Sequence, residues 1–173
     1  GRTVQGGQIA VVARSRRDID ALREVLPGAT GFRLSEVRAA GEGRKGSRDR
    51  PWGAHSAGGA FFPESAFDLL VAWMVMTRFS TTRRGLLLAE FRRALRVGGT
   101  LLVVDHNRPR TWVQWLTSVG WCVLRGVEPC ARPAYPVAQE VRGAAFEGIS
   151  LRMAVHERIQ IVRGIRPPLE AVP

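Results

Sequence analysis

The stretch from Phe67 to Asp105 constrains the fold more than any other part of this chain. Phe67 to Met76 is almost continuously apolar after Asp68, the pattern of a parallel strand covered on both faces. Ser80 or Thr81 then offers a helix cap, and Leu87, Leu88, Phe91 and Leu95 follow at helical spacing. Gly98-Gly99 predicts a left-handed exit from that helix, with Leu95 seating its last turn against the sheet. Thr100 to Asp105 is a second apolar run, closed by an acid and of buried-strand length. Strand, helix and strand in this order form the repeating unit of an open α/β sheet.

The flanking segments extend that unit. Ile9 to Val12 is a short β-branched run, predicted as a buried strand. Arg17 to Leu26 reads as a helix with Ile19, Leu22, Val25 and Leu26 on one face, stopped by Pro27-Gly28. From Ser35 to Gly59 the apolar periodicity vanishes into Gly, Arg, Ser and Ala, which predicts a long loop or insertion. Trp112 to Leu124 reads as an apolar helix broken by Gly120, and Val137 to Ala145 as a short one after the prolines at 129–136. Ile149 to Val155 and Arg158 to Val162 alternate like strands around a tight turn at His156-Glu157, so a β-hairpin closes the chain. With 173 residues, 45% of them hydrophobic, one domain over 1–173 accommodates all of this, with 35–59 as its loop.

The formal charge of +11 raises the question of a polyanionic partner such as nucleic acid. Yet Lys45 is the only lysine, and the arginines are scattered among plentiful Ala, Gly and Pro, a bias that GC-rich coding produces. A nucleic-acid role is therefore not favoured. No apolar run approaches the roughly 20 residues that span a bilayer, so no membrane partner is expected. Cys122 and Cys130 are too far apart for a paired-cysteine metal knuckle and read as thiols of a cytoplasmic protein. His55 and His156 have no carboxylate or cysteine at ligand spacing, so no metal site is expected.

The segment Phe67-Asp68-Leu69-Leu70-Val71, followed by Leu88-Ala89-Glu90-Phe91-Arg92-Arg93-Ala94-Leu95-Arg96-Val97-Gly98-Gly99-Thr100 and by Leu101 to Asp105, resembles the small-molecule class I S-adenosylmethionine-dependent methyltransferases of type 11. That family has an apolar strand opening on "FD", then a helix ending "E-x-x-R-x-L-(R/K)-P-G-G", then a strand ending in an acid. Val97 departs from the usual proline. Phe61 to Asp68 is similar to the family's approach to its fourth strand, and Ile9 to Leu26 sits where the family has its second strand and the helix after it. The resemblance implies a Rossmann-like open sheet with a C-terminal antiparallel hairpin, its first strand and glycine loop missing or altered. It also implies S-adenosylmethionine as cofactor and a small-molecule methyl acceptor as partner.

Binding this cofactor in the family uses a glycine-rich turn after the first strand, an acid ending the second strand for the ribose, and a loop, often with Asp, for the adenine. Here Gly6-Gly7 is preceded by no strand, Ala13 followed by Arg14 stands at the ribose position, and Ala54 or His55 stands at the adenine position. Two readings stay open: the first strand and its turn precede Gly1, or the chain is a degenerate relative that holds the cofactor poorly. Trp73 and Met74, after the fourth strand, fall where the family lines its cleft, with burial in the core as the competing reading. After the fifth strand, Asp105-His106-Asn107 is the best polar cluster: His106 is a candidate base, Asp105 its orienting partner, and Asn107 with Trp112 candidate substrate contacts. The competing reading makes Asp105 a turn cap. Pro129-Cys130 lies too far along for a base-methylating nucleophile, and no Asn-Pro-Pro-aromatic run follows the fourth strand, which favours a small-molecule acceptor.

Overall fold

A computed structural model describes residues 7–33, 62–107, 116, 137–155 and 159–168. Six strands form one sheet: β1 (Ile9–Ala13), β2 (Thr30–Arg33), β3 (Phe67–Trp73), β4 (Leu95–His106), β5 (Glu147–Ala154) and β6 (Ile159–Ile165). Their order across the sheet is β2-β1-β3-β4-β6-β5. The first four run parallel, while β6 lies antiparallel to β4 and β5 antiparallel to β6. Among the described residues, the helices α1 (Arg16–Val25), α2 (Thr81–Ala94) and α3 (Val137–Gly143) accompany them. The sheet is the Rossmann-like α/β sheet anticipated from the sequence, and it ends in the expected antiparallel hairpin. The resemblance counts β1 and β3 as its second and fourth strands, but the two are direct neighbours, paired from Ile9↔Leu69 to Ala13↔Trp73, with β2 on the far side of β1; β1 therefore stands where an open sheet has its first strand and β2 where it has its second.

Alternation along the parallel strands divides two apolar layers. Ala10 and Val12 of β1, Leu70 and Ala72 of β3, and Leu101 and Val103 of β4 share one cluster with Leu87, Leu88 and Phe91 of α2. Val11, Ala13 and Val71 point the other way, where Ile19, Leu22 and Leu26 cover them. Phe62 and Phe67 close the first layer, packing edge to face with Phe32 of β2 at centroid distances of 4.9 and 6.1 Å.

α1 begins at Ser15 because that residue and Asp18 form a reciprocal capping box: Asp18 N–H donates to Ser15 Oγ at 3.2 Å, and Ser15 N–H donates to Asp18 Oδ2 at 3.2 Å. The helix stops at Val25, and Gly28 takes the positive φ of 84° that the turn needs. Val25, expected on the packed face, is 75% exposed, since the helix ends there and Leu26 carries the contact instead. β2 was not anticipated, for Thr-Gly-Phe-Arg is too short and too mixed to alternate visibly. Gly31 earns its place there: a Cβ would overlap Ile19 Cγ2, so α1 can seat only against a glycine.

The largest departure from expectation lies at Gly98-Gly99. α2 ends four residues earlier, at Ala94, and Leu95 is already extended and paired with Phe67. Between the pairs Phe67↔Leu95 and Leu69↔Thr100 the register shifts, so the glycines shape a bulge within β4 rather than a helix exit. Gly98 has φ 77°, and its N–H donates to Arg166 O at 2.9 Å, while Arg166 N–H donates to Gly99 O at 2.9 Å. The Arg166 guanidinium also reaches Leu95 O and Arg93 O, supplying the acceptor groups of the α2 C-terminus with a donor in place of a glycine cap. Leu95 is fully buried, as its seating role required. At the N-terminus of the same helix Ser80 holds the cap position without a side-chain hydrogen bond.

β3 stops at Trp73 rather than Met76, because Met74 turns into the left-handed region and Met76–Arg78 forms a single 3₁₀ turn. α3 ends at Gly143, two residues short of expectation. β6 runs on to Ile165, and Gly164 within it leaves room for Val141 and Phe146. The predicted loop 35–59, the helix Trp112 to Leu124 (apart from Leu116, which is helical), the prolines at 129–136 and the turn at His156-Glu157 lie outside the described residues.

Candidate functional site at the strand ends

Parallel pairing aligns the carboxyl ends of three strands, since Ala13 lies opposite Trp73 and Trp73 opposite Val104. In open parallel sheets this edge is where ligands bind. Trp73 is half-buried, packed on the α1 layer, so its core reading holds in part. Met74 follows with φ 53°, a conformation unfavourable for a residue with a side chain, and its N–H donates to Val104 O at 2.8 Å. That bond ties the start of the turn to the end of β4.

Asp105 completes the tie. Its side chain is fully buried; Oδ2 accepts from Thr77 N–H at 3.0 Å, and Oδ1 accepts from Thr77 Oγ1 at 3.2 Å and from His106 N–H at 2.7 Å. Burial pushes the Asp105 carboxyl above the ordinary carboxylate range, opposed by the backbone donors of His106 and Thr77, the His106 charge and the Thr77 hydroxyl. The carboxylate therefore reaches His106 through its main chain and clamps the 3₁₀ turn after β3 to the end of β4. The His106 side chain is exposed, and Asn107 is half-buried beside it. Gln160, paired with Asp105 across the β4–β6 ladder, is buried, and its Nε2 donates to His106 O at 2.9 Å.

Trp73, Met74, Asp105, His106 and Asn107 thus come together at one edge. Thr77 and Gln160 belong with them although the sequence reading passed over both. For Gln160 a signal was available: it is the one amide in the apolar alternation Ile159 to Val162. Thr77 carried none, because its role depends on a turn that the apolar run concealed.

Ala13 ends β1 fully buried, and Arg14 beside it is exposed. An acid for a cofactor ribose closes the second strand of such a sheet, here β2, and Arg33 stands at its end opposite Ala13, so neither strand end supplies one. Ala13 has no polar side-chain atom, and the nearby carboxylate of Asp18 is engaged in the capping box. Ala54, His55 and Trp112 lie outside the described residues. Among the described residues there is no group of three His, Cys, Asp or Glu placed to hold a metal, and no helix is long and apolar enough to cross a membrane.

No protein-family model matches this chain, and no curated protein matches it. Solved structures do resemble it in fold. Human N-acetylserotonin methyltransferase, in complex with S-adenosylmethionine, superposes with a TM-score of 0.57 at 13% identity, over 94% of this chain and 48% of that one. Phosphoethanolamine N-methyltransferase 2 of Haemonchus contortus, with the same ligand, gives 0.59 at 10% identity, over 97% and 50%. An O-methyltransferase family protein from Burkholderia thailandensis gives 0.52 at 15%, over 94% and 44%. The chain spans about half the length of these structures. With its parallel strands, its order β2-β1-β3-β4-β6-β5 and its terminal hairpin, the chain has the Rossmann-like fold of the class I methyltransferases.

Proposed function

We propose that this chain serves S-adenosylmethionine-dependent methyl transfer to a small-molecule acceptor, in the cleft at the carboxyl ends of β3 and β4. The observation that carries the reading is the convergence there of Trp73, Met74, His106 and Asn107 on a clamp made by Asp105, Thr77 and Gln160. A half-buried aromatic and thioether wall beside polar groups is what an organic acceptor needs for orientation. Where the acceptor loses a proton, the exposed His106 imidazole is the group to take it, with Asp105 and Gln160 fixing its backbone on both sides. The cysteine usage accords with a cytoplasmic location, and the fold neighbours accord with methyl transfer to a small molecule.

The β2 end bears on affinity. Arg33 rather than an acid closes that strand, and a ribose hydroxyl left without a charged acceptor there loses on the order of 1.5–3 kcal/mol of binding, so the cofactor is held weakly. Calorimetric titration with S-adenosylhomocysteine tests the reading: saturable heat with a dissociation constant between about 10 μM and 1 mM supports it. A folded sample giving no heat over that range sinks it, and leaves a methyltransferase-like binding module without activity.

A further inference from the structure

The ends of β1 and β2 determine which part of a methyl donor this sheet can read. Parallel pairing closes the two strands side by side, with Ala13 opposite Arg33. Nucleoside-binding sheets of this kind offer backbone donors at the turn after the first strand, and an acid for the ribose about 20 residues further on. Here only Arg14 and Ser15 separate β1 from α1, and the start of the helix is closed on itself. Asp18 N–H donates to Ser15 Oγ, while Ser15 N–H and Oγ both donate to Asp18 Oδ2, at 3.2 and 2.8 Å. The nearby carboxylate is thereby committed to the cap.

The position an acid would take is held by Arg33, exposed at the end of β2. Arg33 has an interaction of its own, and its guanidinium carries donors alone, so it cannot accept a proton from a ligand hydroxyl. Arg14 and Arg16, both exposed, add only further donors beside the end of β1. A carboxylate accepts from two vicinal hydroxyls at once; an arginine with a partner of its own leaves them to water, as they are in the free ligand. Removing the diol then changes the bound and the free state alike. We propose that the cleft holds its methyl donor without reading the ribose diol, and that Arg33 sets this tolerance. Donors and products altered at the 2′ or 3′ hydroxyl are therefore ligands of equal standing. The tolerance builds on the methyl-transfer reading above and adds to it the ligand group that the site ignores.

Calorimetry with S-adenosylhomocysteine and its 2′,3′-dideoxy analogue, on the parent, Arg33→Ala and Arg33→Asp, tests this. The neutral thioether keeps attraction between a new acid and a sulfonium out of the comparison. The parent and Arg33→Ala, which introduces no acceptor, are expected to bind the two ligands with dissociation constants within about twofold of each other. Arg33→Asp places a carboxylate at the strand end and is expected to bind S-adenosylhomocysteine about tenfold more tightly, with the analogue unchanged. A parent or Arg33→Ala protein that binds the analogue more than about fivefold more weakly overturns the tolerance and leaves methyl transfer standing. A folded Arg33→Asp variant with no preference for the diol also overturns it. Binding by Arg33→Asp alone, with the diol preferred, supports the tolerance and sinks methyl-donor binding by the parent instead. No binding by any of the three overturns both.

Discussion

Arg84 and Glu140 join α2 to α3 through an ion pair that is mostly out of water. Their side chains are 8% and 17% exposed, and the contact is two-pronged, with Nε 2.8 Å from Oε2 and Nη2 2.6 Å from Oε1. The other donors of Arg84 are engaged by Phe79 O at 2.9 Å and Thr81 Oγ1 at 3.2 Å. Glu140→Ala removes the carboxylate and leaves the guanidinium buried. Breaking one side of a buried pair costs about 3–5 kcal/mol, and the two surviving bonds place this case near the lower figure, about 3 kcal/mol. Replacing both members, Arg84→Met with Glu140→Leu, removes the desolvation cost together with the attraction, and is expected within about 1 kcal/mol of the parent. Urea denaturation of the parent, the two single variants and the double variant yields the coupling directly. A Glu140→Ala cost below about 1 kcal/mol, or a double variant as unstable as the summed singles, refutes the reasoning.

Three further outcomes follow from named contacts. Because burial raises the Asp105 carboxyl in the folded state, that state holds its proton to higher pH than the unfolded chain does. The contribution is fully present below the unfolded value and is lost as pH rises through the raised folded one, so urea midpoints should fall across that window, and Asp105→Asn should abolish that part of the slope. Ser15→Ala opens the capping box and should cost about 1 kcal/mol in thermal or chemical unfolding. Gly99→Ala brings a Cβ to 2.8 Å from Arg96 O and 3.1 Å from Phe67 O, both backbone, and should cost about 1–3 kcal/mol in the same assay.

Much of this fold was legible because burial on both faces writes itself into sequence as unbroken apolar runs. Leu69 to Trp73 and Leu101 to Val104 could hardly sit elsewhere than mid-sheet, and α2 was placed by the spacing of Leu87, Leu88 and Phe91. What escaped depended on contacts distant in the chain. Gly98-Gly99 has the local look of a helix exit, and only the pairing of Leu95 with Phe67 and of Arg166 with the bulge reassigns it to β4. The Met74 turn hid inside an apolar run because its signal is a backbone angle. At the site, Asp105 was conspicuous as an acid closing a strand, but its partner Thr77 lies 28 positions away and no local pattern links them.

The most direct test of the strand-end cleft is photo-crosslinking of methyl-labelled S-adenosylmethionine, followed by mapping of the labelled peptides by mass spectrometry. Label on the segments around Trp73-Met74 or His106-Asn107, suppressed by added S-adenosylhomocysteine, is the predicted result. Label confined to other segments, or none that competes, contradicts a methyl-donor cleft at the ends of β3 and β4.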